Sequence, residues 1–162
     1  MVLSQDLTDK GFSLSVVDEY DFTEYQLIHR ICYERYIDEY FGGWVNDVQL
    51  KKQTDAFNKA RTCSCHKKIL LSGETVGFFT FDELSDKIDG ISIQMIEKAR
   101  NMGMGSFYLS HITVLSVQSK KPIFLQVFKS NPAQKLYQRY GFEVYDETLS
   151  QYLMKYDYRA IY

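Results

Sequence analysis

The stretch between residues 88 and 142 constrains this chain more than any other part of it. Ile91, Ile93 and Met95 alternate with Ser92 and Gln94, which predicts a strand over 88–96. The run Arg100-Asn101-Met102-Gly103-Met104-Gly105 follows, and its closely spaced glycines mark a turn rather than more strand. A helix is predicted over 106–118, and the run from Pro122 through Ile123, Phe124, Leu125, Gln126 and Val127 to Phe128 predicts the next strand. A second helix over 131–140 is punctuated at both ends. Asn131 suits its N-cap, Pro132 its first position and Gly141 the residue just past its last turn. Strand, helix and strand in this order form the unit from which helix-covered sheets are built.

The rest of the chain adds to that unit without linker or repeat. Residues 12–17 alternate as a first strand. Asp21 with Glu24 three positions on reads as a capping box, opening a helix through Leu27, Ile28, Ile31 and Cys32 to about Tyr40. Phe41-Gly42-Gly43-Trp44 breaks it, and a further helix is predicted over 47–57. Residues 68–71, the turn 72–75 and residues 76–81 read as a hairpin, and 142–145 with 152–156 as the last two strands. The predicted order is β, α, α, β, β, β, α, β, α, β, β, a mixed α/β sheet with helices on its faces. A length of 162 residues fits one domain, 1–162.

Charge excludes some partners. A formal net charge of −2, with acids and bases interspersed, is not that of a nucleic-acid binder with a basic stripe, so any anion site must be local. No apolar run approaches a membrane span. The first twenty residues are polar and carry Asp6, Asp9, Lys10, Asp18 and Glu19, which predicts no signal peptide. Cys32, Cys63 and Cys65 cannot all pair internally, and a reduced, cytoplasmic setting is the expectation. Cys63, Cys65 and His66 are too crowded for a zinc spacing, so no metal is expected. Thirteen tyrosines offer polar tips on apolar bodies, as a half-wet cleft needs, although surface and core positions account for most of them.

Two segments carry chemistry. In the glycine turn, Gly103 and Gly105 allow positive φ and close approach of an anion to the backbone. The helix N-terminus after it offers free N–H groups and a partial positive charge, which together make a phosphate cradle. A P-loop would need Lys-Ser/Thr after the second glycine, where Ser106-Phe107 stand, and a dinucleotide fingerprint would need a small residue at Tyr108. A plain structural turn stays open. In the second segment Ala133, Leu136, Tyr137 and Tyr140 share one helix face, and on spacing alone all four read as core.

These residues bear a resemblance. Arg100-x-x-Gly103-x-Gly105 is similar to the R/Q-x-x-G-x-G/A coenzyme A signature of the GNAT N-acetyltransferase superfamily. Asn131-x-x-Ala133-x-x-Leu136-Tyr137-x-x-x-Gly141-Phe142 resembles that superfamily's following motif, in the expected order and one helix and one strand away. Outside 88–142 the likeness is weaker, with Tyr40 to Trp44, Gln49, Phe57 and the segment Asp146 to Met154 resembling a subgroup of small bacterial members. The resemblance implies a single-domain GNAT fold whose central sheet splays between the fourth and fifth strands. It implies acetyl-CoA as cosubstrate, an amine acceptor of unidentified type, and direct transfer in a ternary complex. A homodimer is common among such proteins.

By the same likeness, backbone groups near Met95 and Glu97 bind the pantetheine amides, and amides from Asn101 through Met102, Gly103, Met104 and Gly105 to Ser106 hold the diphosphate. Arg100 stacks on or pairs with the ligand, and Asn131 and Ala133 border the coenzyme arm. Tyr137 is the general acid for the leaving thiolate, and the N–H of Met95 or Ile96 steadies the oxyanion. Relatives carry ionisable residues where Gln126 and Gln151 stand, which leaves the base among Asp89, Glu97, Glu83 or a water relay. The same two glutamines make a non-catalytic coenzyme A-binding module the alternative reading. Trp44 and the acids Asp82, Glu83, Asp86 and Asp89 are further candidates for an acceptor site, each with a plain structural reading beside it.

Overall fold

A computed structural model of the protein describes residues 1–161. Its sheet is built by β1 (Phe12–Val16), β2 (Cys65–Leu71), β3 (Glu74–Glu83), β4 (Ile88–Met95), β5 (Ile123–Phe128), β6 (Glu143–Glu147) and β7 (Gln151–Tyr156). Its helices are α1 (Gln5–Asp9), α2 (Phe22–Phe41), α3 (Asn46–Ala60), α4 (Met104–Ser119) and α5 (Gln134–Arg139). From β1 onward this is the predicted order. The short α1 was not expected, because five residues are too few to show a helical period. It is held by Ser4, whose hydroxyl accepts from the Leu7 N–H, and by burial of Leu7.

Two helix starts differ from expectation in detail. The capping box lies at Asp18 and Asp21, around a 3-10 turn over Glu19–Asp21, so α2 is entered one turn earlier than Asp21 and Glu24 suggest. The Asn131 side chain does cap, accepting from the Ala133 N–H at 2.9 Å, but a tighter turn intervenes and α5 proper begins at Gln134. Gly42 ends α2 at φ 79° and Gly141 follows α5 at φ 85°, both left-handed conformations that glycine adopts without strain.

The strands run in the order β1-β2-β3-β4-β5-β7-β6. Every neighbouring pair is antiparallel except β4 and β5, which are parallel and meet at one register pair, Ile88 with Ile123. The Ile88 N–H also donates to the Pro122 carbonyl at 2.9 Å. Past that point the two strands part, so the mixed sheet is splayed between its fourth and fifth strands as expected. A bulge sits just inside the splay: the β3–β4 register shifts between Thr80 and Asp82, opposite Gly90 at φ 63°.

Helices cover both faces, and adjacent residues of β3 show it. Phe79 faces the larger core with Tyr108, Leu109 and Ile112 of α4, while Phe78 packs with Tyr25 and Ile28 of α2 and Phe57 of α3. A third cluster joins Tyr36 and Ile37 of α2 to Phe128 of β5, with the Tyr36 and Phe128 rings stacked at 5.0 Å. Helix α2 therefore bridges the gap, touching strands on either side of it. Among the described residues no helix is long and apolar enough to cross a membrane.

Candidate functional site

A cleft of about 700 Å³ occupies the place where β4 and β5 part. Ile91 to Met95 of β4 form one wall, and Gln126 to Phe128 of β5 the other. Gly103, Gly105 and Ser106 lie at one end with α5, and Cys32, Tyr33 and Tyr36 of α2 close the opposite side. Beyond Ile88 the β4 edge that faces β5 has no strand partner, so its backbone groups are open to an extended ligand.

The glycine turn sits at the head of α4 with its donors unspent. Gly103 is the N-cap at φ 103° and Asn101 is also left-handed at φ 59°, which turns successive N–H groups toward the cleft. Within the described residues no N–H from Asn101 to Ser106 donates to a protein acceptor, and the first that does is Phe107, to Gly103 at 2.9 Å. Gly105 serves differently from expectation. It lies inside α4 without a positive φ, and a Cβ there would stand 3.1 Å from a Leu136 methyl, so its small size lets α4 and α5 approach with Leu136 undisturbed.

The charge around this end is one-sided. Arg35, Arg100, Lys135 and Arg139 line the cleft, while no Asp, Glu or His does. A chain of nearly balanced charge thus concentrates cations where the amides point, which suits a polyanion. Sequence reading passed over Lys135 and Arg139, although their i, i+4 spacing on α5 was a usable signal. Arg100 is tied to the end of β4: its Nε–H donates to the Met95 carbonyl at 2.7 Å.

Tyr137, 9% exposed, packs its ring edge-on to Phe142 at 5.9 Å and lines the cleft. Burial pushes its phenol up to about 12, and its hydroxyl has no hydrogen bond among the described residues. Tyr33 and Tyr108 are raised above the usual phenol range first by burial and then by the nearby Tyr137 phenol. Tyr108 is spent, donating to the Thr80 carbonyl at 2.7 Å. Tyr33 was missed in the sequence, where it is one tyrosine among many on an unremarkable helix.

Several expected residues do not reach the cleft. The Ile96 N–H donates to the Val76 carbonyl at 2.9 Å, which removes it as an oxyanion donor. Glu97 is exposed on a 3-10 turn over Glu97–Ala99. Met102 and Met104 turn their side chains into the core and do not line the cleft. Trp44 packs against the Tyr36, Ile37 and Phe128 cluster, with the Arg30 guanidinium 5.3 Å from its ring, and does not line the cleft. Glu83 pairs with Lys121 at 2.9 Å and Asp89 with Lys87 at 2.7 Å. Asp86 and Asp89 instead border a second opening that reaches Gln126 from outside. No cluster of His, Cys, Asp and Glu among the described residues is placed to hold a metal ion.

No family model matches the chain, and no curated protein matches its sequence. Solved structures match its fold. The PaiA N-acetyltransferase of Thermoplasma acidophilum, in complex with coenzyme A, aligns at a TM-score of 0.68 and 12% identity, over 90% of this chain and 98% of that one. The ribosomal-protein-S18-alanine N-acetyltransferase of Escherichia coli aligns at 0.63 and 15% identity, over 90% and 92%. Arabidopsis thaliana Naa50, in complex with the bisubstrate analogue CoA-Ac-MVNAL, aligns at 0.62 and 20% identity, over 90% and 97%. With its seven-stranded sheet parting at one parallel pair, the chain has the GNAT fold of these N-acetyltransferases.

Proposed function

We propose that the protein is an N-acetyltransferase that moves the acetyl group of acetyl-CoA onto a primary amine by direct attack. One conjunction carries this reading: a single cleft is lined by Asn101, Gly103, Gly105 and Ser106, whose backbone N–H groups are unspent, by cations, and by the buried, unpartnered Tyr137 phenol. The amides from Asn101 to Ser106 suit a diphosphate. The open β4 edge suits the amides of a pantetheine arm, and Asn131 and Ala133 line the same cleft from the turn before α5.

The residues divide the chemistry. As the amine nitrogen bonds to the thioester carbon, the carbon–sulfur bond breaks and the sulfur needs a proton. Tyr137 supplies it, since its phenol is neutral at any physiological pH and faces no competing partner. With Ile96 spent, the Met95 N–H is the remaining oxyanion donor of the two considered. The amine's own proton leaves by water, because no carboxylate or histidine lines the cleft.

Titration calorimetry with coenzyme A, followed by thiol release from acetyl-CoA with polyamines, aminoglycosides, amino acids and N-terminal peptides, tests the reading. Binding of coenzyme A and thiol release with one amine class are expected. Binding without release on every amine would leave the non-catalytic module instead, and no binding would remove both.

A further inference from the structure

The cleft has a side chamber that the transfer chemistry leaves unused. Under α2 and α3, against β2, β3 and β4, lies a cavity of about 240 Å³. Tyr33, Ser92 and Gln94 line both spaces, so chamber and cleft adjoin at the splay. Its faces are aromatic, from Tyr25, His29, Tyr33, His66 and Phe78, with Tyr25 edge-on to Phe78 at 5.5 Å.

Two polar atoms there are stranded. Gln94 is 4% exposed, and its Oε1 is buried without a hydrogen-bond partner, as is Nδ1 of His66. Buried polar atoms are nearly always paired, so each asks for a ligand group. Amide oxygen only accepts, and a neutral imidazole nitrogen without its hydrogen does the same.

Charge narrows the class further. No Asp or Glu lines the chamber, and its one ionic side chain is Lys59, exposed on α3. Burial lowers His29 and His66 to about 4, so both are neutral at physiological pH. An ammonium buried here would lack a counter-charge and have a lysine for neighbour, at a heavy desolvation cost. A flat neutral group with an N–H or O–H fits this lining: its ring lies on aromatic faces and its hydrogen goes to Gln94. The volume is below the ~300–1,000 Å³ of pockets for drug-sized ligands, so it holds one compact ring system.

We infer that this chamber is the acceptor specificity pocket, and that the acceptor is an amine bearing a neutral aromatic or heteroaromatic ring with an N–H or O–H donor. The ring occupies the chamber against Gln94 Oε1, and the amine extends past Ser92 into the cleft. The fate of that amine rests on the transfer reading above, whereas binding of the ring does not.

The probes are tryptamine, 1-methyltryptamine, which lacks the ring N–H, and hexylamine, which lacks the ring. Affinities are measured by calorimetry on the full chain saturated with coenzyme A, and turnover by thiol release from acetyl-CoA. Tryptamine is expected to bind about 10-fold more tightly than 1-methyltryptamine, the scale of one buried hydrogen bond, and hexylamine more weakly still. Gln94→Leu should erase the difference between the two indoles. Ala56→Trp, at an exposed α3 position that lines the chamber but not the cleft, should fill the space and weaken tryptamine while coenzyme A affinity stays unchanged. Equal affinity for the two indoles, indifference of tryptamine to Ala56→Trp, or turnover of hexylamine but not of tryptamine overturns the pocket. Tryptamine that binds as expected, with no thiol release from any amine, keeps the pocket and overturns the transfer reading instead.

Discussion

The Arg100 guanidinium donates to the Met95 carbonyl at 2.7 Å, while its terminal nitrogen lies 3.7 Å from the Cys32 sulfur. Cys32 reaches the same carbonyl at 3.4 Å. The arginine that opens the glycine turn therefore ties the end of β4 to α2, and it shapes the site through that tie. Arg100→Ala should weaken coenzyme A about 10-fold, in keeping with loss of one charged hydrogen bond, and Arg100→Lys should recover part of the loss. Calorimetry reads both, and a change under two-fold in Arg100→Ala would count against the tie.

The Tyr137 phenol keeps its proton over an unusually wide pH range. Its phenol is raised to about 12 by burial, so it stays protonated well past the point where an ordinary tyrosine ionises. Tyr137→Phe should lower kcat by about 100-fold, the usual scale of a lost general acid, with little change in coenzyme A affinity. In the unaltered protein kcat/KM should rise with pH as the amine loses its proton, with no descending limb before about pH 11. A descending limb near 10 would mean an ordinary phenol.

Lys135 and Arg139 line the cation-rich end of the cleft on successive turns of α5. Replacing both by alanine should weaken coenzyme A about 10-fold at low salt and much less at high salt, because salt screens exposed charges. Titrations at two ionic strengths check this. An equal loss at both would point to damaged packing rather than lost charge.

At Gly77 the strands β3 and β4 lie close together. A Cβ there would fall inside contact distance of the Gln94 carbonyl and 3.2 Å from Met95 Cα, so alanine must push the two strands apart. Gly77→Ala should destabilise the protein by about 2 kcal/mol, typical of overpacking, and loosen the splay beside it. Denaturant unfolding measures the loss, and an unchanged midpoint would show that β4 yields freely.

Neutral, half-buried His29 and His66 make stability depend on pH. Both titrate near 4 when folded against an ordinary 6.5, so above 6.5 neither state binds the proton and their contribution is fully present. As pH falls from 6.5 toward 4, the unfolded chain takes up protons that the folded one refuses, and stability is lost. Thermal unfolding should drop by several degrees between pH 7 and 5, and His66→Phe should flatten that slope. A slope the same in the variant would mean that His66 is solvated.

Most of the secondary structure was legible because short-range chemistry governs it. Period-two alternation marked β4, a β-rich run marked β5, glycines marked the ends of α2 and α5, and Asn131 marked the turn that leads into α5. The glycine turn before α4 was also readable, since free N–H groups follow from any helix start. Local rules could not say that Gly105 serves packing rather than a positive φ, because the Leu136 methyl beside it comes from a helix thirty residues on.

What remained hidden depends on long-range contact. That the Ile96 N–H is taken by Val76 follows from the register of β3 on β4, and that Glu83 is paired follows from the fold bringing Lys121 near. The stranded Gln94 oxygen and neutral His66 arise only where α2 and α3 roof the sheet. Backbone preferences act within a few residues and can be read along the chain. Desolvation and the pairing of polar groups are set by neighbours distant in sequence, so only the folded arrangement decided them.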